Sequence, residues 1–483
     1  MLRRATPRLA IIAAMLCGTA LPARAETLQE ALAAAYRDNP TLTAARAGQR
    51  ATDETFNIQK ANGLPDLAAT SSYSETLHQA PSNEFNARRT FSAGLDLTVP
   101  VYQGGRVRNG MRAADTRVDA GQFALHSTEL TVFAQVVAAY MDVIRGQSVV
   151  GLSRNNVEVL EVNLQATNNR FQVGDLTRTD VAQSESRLAL ARGDLRTAEA
   201  QLIEARERYI QLVGHAPVDL QQPPPLPGLP ATPDDAVDIA LAQNPDLSAA
   251  RKEREATHYD VRVARGLRHP SLSAFSSGSY TSDLGSTPAS AGFQNYGEAV
   301  TVGARLTLPL YQGGGPGAQV RQSQALEQQA MERETATERD VIAQTRSLYS
   351  SWQASNQVIA SSRIAVDASA LSLRGVRAEN SVGTRTILDI LNAEQENFSA
   401  RVQLVTAERN AYVAAFSLLA AMGQVSPTEL GIAADDVYDP NANYQRVRGK
   451  WFDWDDDPAP APVASRTVDS VTQNATVEGD VNP

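Results

Sequence analysis

Leu97-Thr98-Val99-Pro100-Val101-Tyr102-Gln103-Gly104-Gly105 alternates apolar and other residues and then ends on a glutamine and two glycines. The phrase returns as Leu306-Thr307-Leu308-Pro309-Leu310-Tyr311-Gln312-Gly313-Gly314, 209 residues later. A second echo joins Ala31 to Pro40 (ALAAAYRDNP) with Ala236 to Pro245 (AVDIALAQNP), 205 residues apart. Four extra residues therefore fall in the loop between the two strands of the second copy. Beyond that loop the longer offset holds, with Val173-Gly174 answering to Val382-Gly383 and Val213-Gly214 to Met422-Gly423. A repeat of this length is a duplicated domain and not a solenoid of short units.

The duplication divides the chain into repeat 1 at 26–214, a proline-rich linker at 215–232, repeat 2 at 233–424 and an extension at 425–483. Residues 1–25 read as an export signal. Arg3, Arg4 and Arg8 precede an apolar run from Leu9 to Leu16, and Ala23-Arg24-Ala25 supplies the small-x-small cleavage pattern. Cys17 also invites lipid attachment, but Leu16 stands before it where a small residue is expected. Cleavage after Ala25 removes the single cysteine, so the mature chain carries no disulfide or thiolate chemistry.

After the signal no apolar run is long enough for a membrane helix. A membrane protein of this sequence must span as a β-barrel, because only helices and closed barrels satisfy every backbone group in lipid. Phe91, Ala93, Leu95, Leu97, Val99 and Val101 alternate with Ser92, Gly94, Asp96, Thr98 and Pro100, and Val300 to Leu310 repeats the pattern. Two weaker strands lie near Leu67 to Leu77 and Leu272 to Ser282. Alternation of this kind also suits a soluble hairpin. Against that, the strands are few in a helical chain, and Asp96 and Arg305 sit mid-strand on the polar face, as residues lining a lumen would. Four strands cannot close a barrel alone, so the count demands partners.

The remainder is helical. Leu130, Phe133, Val137, Tyr140 or Met141, and Ile144 fall at helical spacing between Gly105 and Phe171, a run that spans about 100 Å if continuous. Beyond Gly174 a heptad sets in. Val181, Leu188, Leu195, Leu202 and Tyr209 form one column, and Ser184, Ala191, Ala198, Ala205 and Leu212 another. The second copy has Ile390, Asn397, Leu404, Ala411 and Leu418 beside an all-alanine column at 393, 400, 407, 414 and 421. Small residues at this period let helices approach closely and supercoil. Each repeat thus reads helix, strand, strand, long helix, long helix.

No acid, base or metal constellation stands out, so the expectation is a protein that is not an enzyme and needs no cofactor or metal. The five histidines are scattered, and a net charge of −10 argues against nucleic acid. The glycine pairs Gly104-Gly105 and Gly313-Gly314, each after Pro100 or Pro309, suit tight strand-to-helix corners better than phosphate binding. The alternative to a membrane barrel is a periplasmic coiled-coil adaptor or scaffold without its own barrel.

The two proline-tyrosine-glutamine-glycine phrases, together with Ser381-Val382-Gly383-Thr384-Arg385-Thr386-Ile387-Leu388-Asp389-Ile390-Leu391, resemble the signatures of the TolC family of outer-membrane channels. The similarity covers roughly residues 26 to 435. It implies a homotrimer whose strands close one 12-stranded β-barrel in the outer membrane lipid, continuous with a periplasmic α-helical coiled-coil barrel. It also implies partners: a periplasmic adaptor (membrane fusion) protein with an inner-membrane pump or ABC transporter, in tripartite efflux or type I secretion. By the same resemblance Arg385, Thr179 and Asp180 are periplasmic gate residues, and Asp389 belongs to an acidic ring at the pore entrance. Asn392 stands where the family has a second acid and Asn380 where it often has tyrosine. Thr386 with Asp389, and Thr177 with Asp180, also fit the pattern of a capped helix start, a role compatible with facing an axis. In the tail, Trp451, Phe452 and Trp454 among aspartates suit either adaptor binding or local packing, and composition points to disorder over the last 25 or so residues.

Overall fold

The computed structural model describes residues 25–78, 88–284, 295–433 and 436–477. All but the last residue of the expected signal lies outside them. Each repeat opens with two helices where the sequence pattern suggested one. α1 (Leu28–Asp38) and α2 (Pro40–Ala61) meet at Asn39, and α5 (Pro233–Gln243) and α6 (Pro245–Gly266) meet at Asn244. The cause is local. Proline suits the first position of a helix but cannot extend the one before it, and asparagine is a favoured N-cap.

Asn39 accepts from the Thr41 amide at 2.9 Å and donates its Nδ2 to the Leu212 carbonyl at 2.9 Å. Asn244 accepts from the Leu247 amide at 3.1 Å and donates to the Ala421 carbonyl at 2.9 Å. One buried side chain thereby caps the start of one helix and the end of another, twice in the chain.

Four strands follow from the two repeats: β1 (Asp66–Glu75), β2 (Arg89–Gln103), β3 (Ser271–Asp283) and β4 (Tyr296–Thr307). They form one antiparallel sheet in the order β1-β2-β3-β4, so β2 and β3 join the hairpins of the two repeats. The register places Leu67, Phe91, Leu95, Leu97, Val99, Tyr280, Val300, Val302 and Leu306 on one face. Asp96, Ser277 and Arg305 share the other, where the Arg305 guanidinium lies 5.3 Å from the Phe275 ring centre.

Pro100 sits in the central strand β2, where a missing N–H is tolerated only at an irregularity, and the register shifts between Pro100 and Tyr102. β4 stops at Thr307, short of the expected Leu310. Its pairing with β3 ends at Ser271, Pro270 precedes that residue, and Pro309 lacks a donor, so nothing remains to extend the ladder.

The long helices are α3 (Arg106–Gln172) and α7 (Gly315–Ser381), each 67 residues, or about 100 Å at the ordinary rise. They start at Gly105 and Gly314, both with left-handed φ, +79° and +81°. At Gly104, φ +65°, an added Cβ would lie 2.4 Å from the Gly266 carbonyl oxygen, so this corner admits only glycine. Gly313 has φ +60°. α4 (Arg178–Val213) packs along α3, and α8 (Ile387–Ala421) along α7. The heptad columns face these seams: Ser184, Leu188, Ala191, Ala198, Leu202 and Tyr209 are buried, as are Ile390, Ala393, Asn397, Ala400 and Ala407. Asn397, the polar member of its column, donates to Ser369 Oγ at 3.0 Å.

The main core lies where α1, α3, α4, α5 and α8 converge, around Tyr36, Phe133, Tyr140, Leu202, Tyr209 and Phe416. Glu26, the first residue after the expected cleavage site, is buried there. Tyr209 donates to its Oε1 at 2.6 Å and Tyr140 to its carbonyl oxygen at 2.9 Å. Burial pushes both phenols well above their ordinary range, so they stay donors.

The extension adds α9 (Pro440–Arg448) against α2 and then a segment whose one element is a single turn at Thr467–Asp469. That segment, expected to be disordered from composition, is held at its Asn474, Ala475 and Thr476 carbonyls by Arg206 and Arg154.

Replacing Asn39 by alanine removes a cap and leaves the Leu212 carbonyl without its donor, and Asn244→Ala does the same at Ala421. Each should cost about 1–2 kcal/mol. The two losses should add, because the sites share no partner. Denaturant titrations followed by far-ultraviolet circular dichroism measure both.

Candidate functional site

The ends of the long helices farthest from the sheet carry two turns, 173–177 and 382–386, and every expected gate residue lies in or just after them. Gly174 and Gly383 provide the reversal with φ +83° and +81°. Each following helix opens with a reciprocal cap. Asp180 Oδ2 accepts from the Thr177 amide at 2.9 Å and its hydroxyl at 2.7 Å. Asp389 Oδ2 accepts from the Thr386 amide and hydroxyl at 2.9 and 2.8 Å. The threonine hydroxyls accept in return from the Asp180 and Asp389 amides, both at 3.3 Å. These bonds stabilise the ionised form, so the Thr177 hydroxyl and amide hold Asp180, and the Thr386 amide and hydroxyl hold Asp389, below the usual carboxylate range.

Arg385 is exposed, and its Nε donates to Glu379 Oε2 at 2.7 Å across the second turn. In the first turn Arg170 Nε donates to Asp175 Oδ2 at 2.7 Å. Arg170 and Glu379 hold equivalent places in the two repeats with opposite charge, so the turns close through the same kind of bridge with its polarity reversed. Thr179 is exposed in the first turn of α4. Among the described residues of one chain, no hydrogen bond or ion pair joins Arg385 to Asp180.

Beside the packing of Leu391 against Leu160, Leu188 and Ala191, two polar contacts that sequence reasoning missed tie the repeats together at this end. Arg170 NH1 lies 3.5 Å from Asn380 Oδ1, and Arg187 NH2 donates to Asn392 Oδ1 at 2.9 Å. Asn380 and Asn392 are the two positions at which the chain departs from the family pattern. Each asparagine takes a bond from an arginine of the other repeat. Asn380 also donates its Nδ2 to the Arg385 carbonyl at 2.7 Å, which fixes the side chain within its own turn. The departures were visible in the sequence, but their arginine partners lie 210 and 205 residues away and had no local signal.

At the tips, Val173 and Val382 stand out as equivalent apolar residues that are 79% and 75% exposed, beside exposed Phe171. The four corner glycines and the two prolines lie at the opposite end, under the sheet, and take no part in these turns.

Comparison with known proteins agrees with this architecture. The model of the outer membrane efflux protein family matches residues 29–215 and 236–424, one match for each repeat. The outer membrane efflux protein BepC of Brucella suis is 32% identical over 452 residues, covering 93% of this chain and 97% of BepC. TolC of Escherichia coli is 27% identical, covering 87% of each chain. The solved CmeC outer membrane channel of Campylobacter jejuni superposes with a TM-score of 0.72 at 18% identity, over 83% of this chain and 88% of that one. A duplicated helix-strand unit, two capped interhelical turns and matches over both repeats make this chain a member of the outer membrane efflux protein family, a TolC-like channel protein of the outer membrane.

Proposed function

We propose that three copies of this chain close one twelve-stranded barrel above an α-helical tunnel, and that the interhelical turns hold the tunnel's periplasmic end shut until a transporter engages. The observation that carries this reading is the sheet: among the described residues β1 and β4 each have a neighbour on one side only, while one face gathers Leu67, Leu95, Leu97, Val300, Val302 and Leu306. Unpaired strand edges in lipid leave donors and acceptors unsatisfied, and closing a ring removes them. α7 supports the same conclusion lower down, since Leu326, Met331, Ile364 and Leu371 are exposed along a helix packed by its neighbours on its other sides.

Substrate then passes from an inner-membrane pump or ABC transporter, through a periplasmic adaptor, into the tunnel, for efflux or type I secretion. The exposed valines at the equivalent turns, Val173 and Val382, are the surface offered to the adaptor. Arg385 reaches Asp180 and Thr179 of a neighbouring protomer, a directed charge-assisted bond that supplements the Arg170–Asn380 and Arg187–Asn392 ties inside each chain. Asp389 from three protomers forms one acidic ring.

Purified mature protein in detergent should be a trimer by light scattering; a monomer that keeps the fold contradicts the barrel. Arg385→Ala and Asp180→Ala should each raise resting conductance in planar bilayers about tenfold or more with the trimer intact. The double variant should fall short of the product of the two, because both remove one link. Wild-type conductance in either single variant means that this contact does not hold the channel shut.

The acidic ring has its own signature. Asp389 is depressed from its ordinary value of 3.8, so its charge and its cap are present above that pH and are lost only as pH falls through the lower native value. Three carboxylates around one axis attract cations, so divalent cations should block the pore at neutral pH. Asp389→Asn should abolish this block. Selectivity unchanged by that substitution leaves capping as the residue's role.

A further inference from the structure

The extension contains a turn that the channel function does not use. α9 runs parallel to α2 and climbs it toward the sheet. Asn443 donates to Asp53 Oδ2 at 2.7 Å, Asn57 donates to the Val447 carbonyl at 2.9 Å, and Lys60 donates to the Arg448 carbonyl at 3.2 Å. The contact is built and buried: Asp53 is fully enclosed, Tyr444 meets Phe56 edge-on at 5.8 Å, and the Arg448 guanidinium covers both rings. α2 ends at Ala61 and β1 begins at Asp66, so α9 delivers the chain to the level at which the barrel starts.

The next residues form a closed turn. The Asp455 amide donates to the Phe452 carbonyl at 3.3 Å. Arg446 grips both oxygens of Asp457 at 2.8 and 2.7 Å, and Lys450 pairs with Asp455 at 3.2 Å and Asp457 at 3.4 Å. These cations hold Asp457 down to about 2, so the clamp stays charged at any physiological pH. Two of the four local carboxylates are consumed in closing the turn. Its apex carries three exposed aromatic side chains around Asp453: Trp451, Phe452 and Trp454 are 77%, 62% and 82% exposed. Beyond the turn the chain comes back down, with Ser465 beside Gly214 at the end of α4. Among the described residues, the aromatic turn thus follows directly on the sheet-ward end of α9.

We propose that Trp451, Phe452 and Trp454 insert into the periplasmic leaflet of the outer membrane and fix the height of the channel in the bilayer. The occupant is lipid because of position and continuity. Tyr73, Phe91 and Tyr296 share one row across the apolar face at the far end of the sheet, Tyr102 lies on that face at the end near the helices, and Tyr311 follows β4 in the chain at the same end. These are the two aromatic girdles expected of a membrane barrel. Arg448 is held by Lys60, Gly63 just beyond it lines one cavity with Tyr102, and three residues of chain span at most about 10 Å, so the turn is within reach of the lower girdle. Tryptophan favours the headgroup zone, where its ring is apolar and its N–H stays wet. The apex sits on the protomer surface as a clamped turn, so little conformational entropy is lost on insertion.

The chain has three tryptophans. Trp352→Phe leaves Trp451 and Trp454 as the only emitters, and the reverse pair Trp451→Phe and Trp454→Phe leaves Trp352, which packs against Tyr349. Both full-length variants are placed in vesicles of phosphatidylethanolamine and phosphatidylglycerol containing brominated lipid. The first should lose most of its emission, more with bromine near the headgroup end of the acyl chain than at its tip, and should resist quenching by acrylamide. The second should not respond to bromine position. Emission from the first variant that ignores brominated lipid and is quenched freely by acrylamide overturns the proposal. So does protection that arises only when a periplasmic adaptor is added, which makes the turn a protein docking site.

Discussion

A strand in lipid cannot leave one edge of its backbone unpaired, and the chain is organised around that requirement. Its four strands have two free edges, one on β1 and one on β4. Because β2 pairs with β3, the two repeats are fused at the centre of the sheet and the free edges fall at the margins of the protomer. The helices obey the same plan. α3 packs on both α6 and α8, so the repeats are joined at the centre of the wall as well, with α7 toward one margin and α2 and α4 toward the other. Every surface that needs a neighbour therefore faces sideways, and a rotation that satisfies the strands brings the helices together too.

Duplication supplies the scaffold, and the copies diverge in the charges at their turns. α3 and α7 have the same length, begin on glycines of the same conformation and end in turns of the same shape. The threonine–aspartate caps are identical in kind. The charges bridging the turns are not: arginine precedes aspartate in the first, and glutamate precedes arginine in the second. A single unit repeated six times around a ring would present the same groups at every turn. Reversing the bridge puts Arg170 within reach of Asn380 and leaves Arg385 near the tip, so adjacent turns become complementary instead of alike.

Much of this was legible because periodicity survives in sequence. The offset of the two proline-tyrosine-glutamine phrases gave the duplication, the alternation around Leu97 gave β2 and its face, and the alanine columns gave the seams of α4 and α8. The break at Asn39-Pro40 was written in two residues, yet the alanine-rich run on one side masked it. β4 ended early because pairing depends on what β3 can offer, and alternation within β4 carries no record of Pro270. The Arg170 and Arg187 contacts could not be read at all, since arginines on a coiled coil look alike until the second helix pair is in place. The contacts of the tail are illegible for a related reason. Its hold on the body comes from backbone carbonyls accepting bonds from Arg154 and Arg206, and a carbonyl has no residue type.

The caps also resolve an apparent conflict between structural and pore roles for the aspartates. Both cap bonds at Asp389 end on Oδ2, and both at Asp180 do the same. The second oxygen of each carboxylate is left outside the cap. Holding one oxygen fixes the side-chain torsions, so the free oxygen is presented at a set place without further loss of rotamer freedom. A carboxylate that swings freely on a mobile turn would average its field over several ångströms and would protonate sooner on acidification. Here the same two bonds that start the helix keep the charge in place and keep it ionised. If Asp389 lines the pore as proposed, the cap is what makes it a fixed charge there.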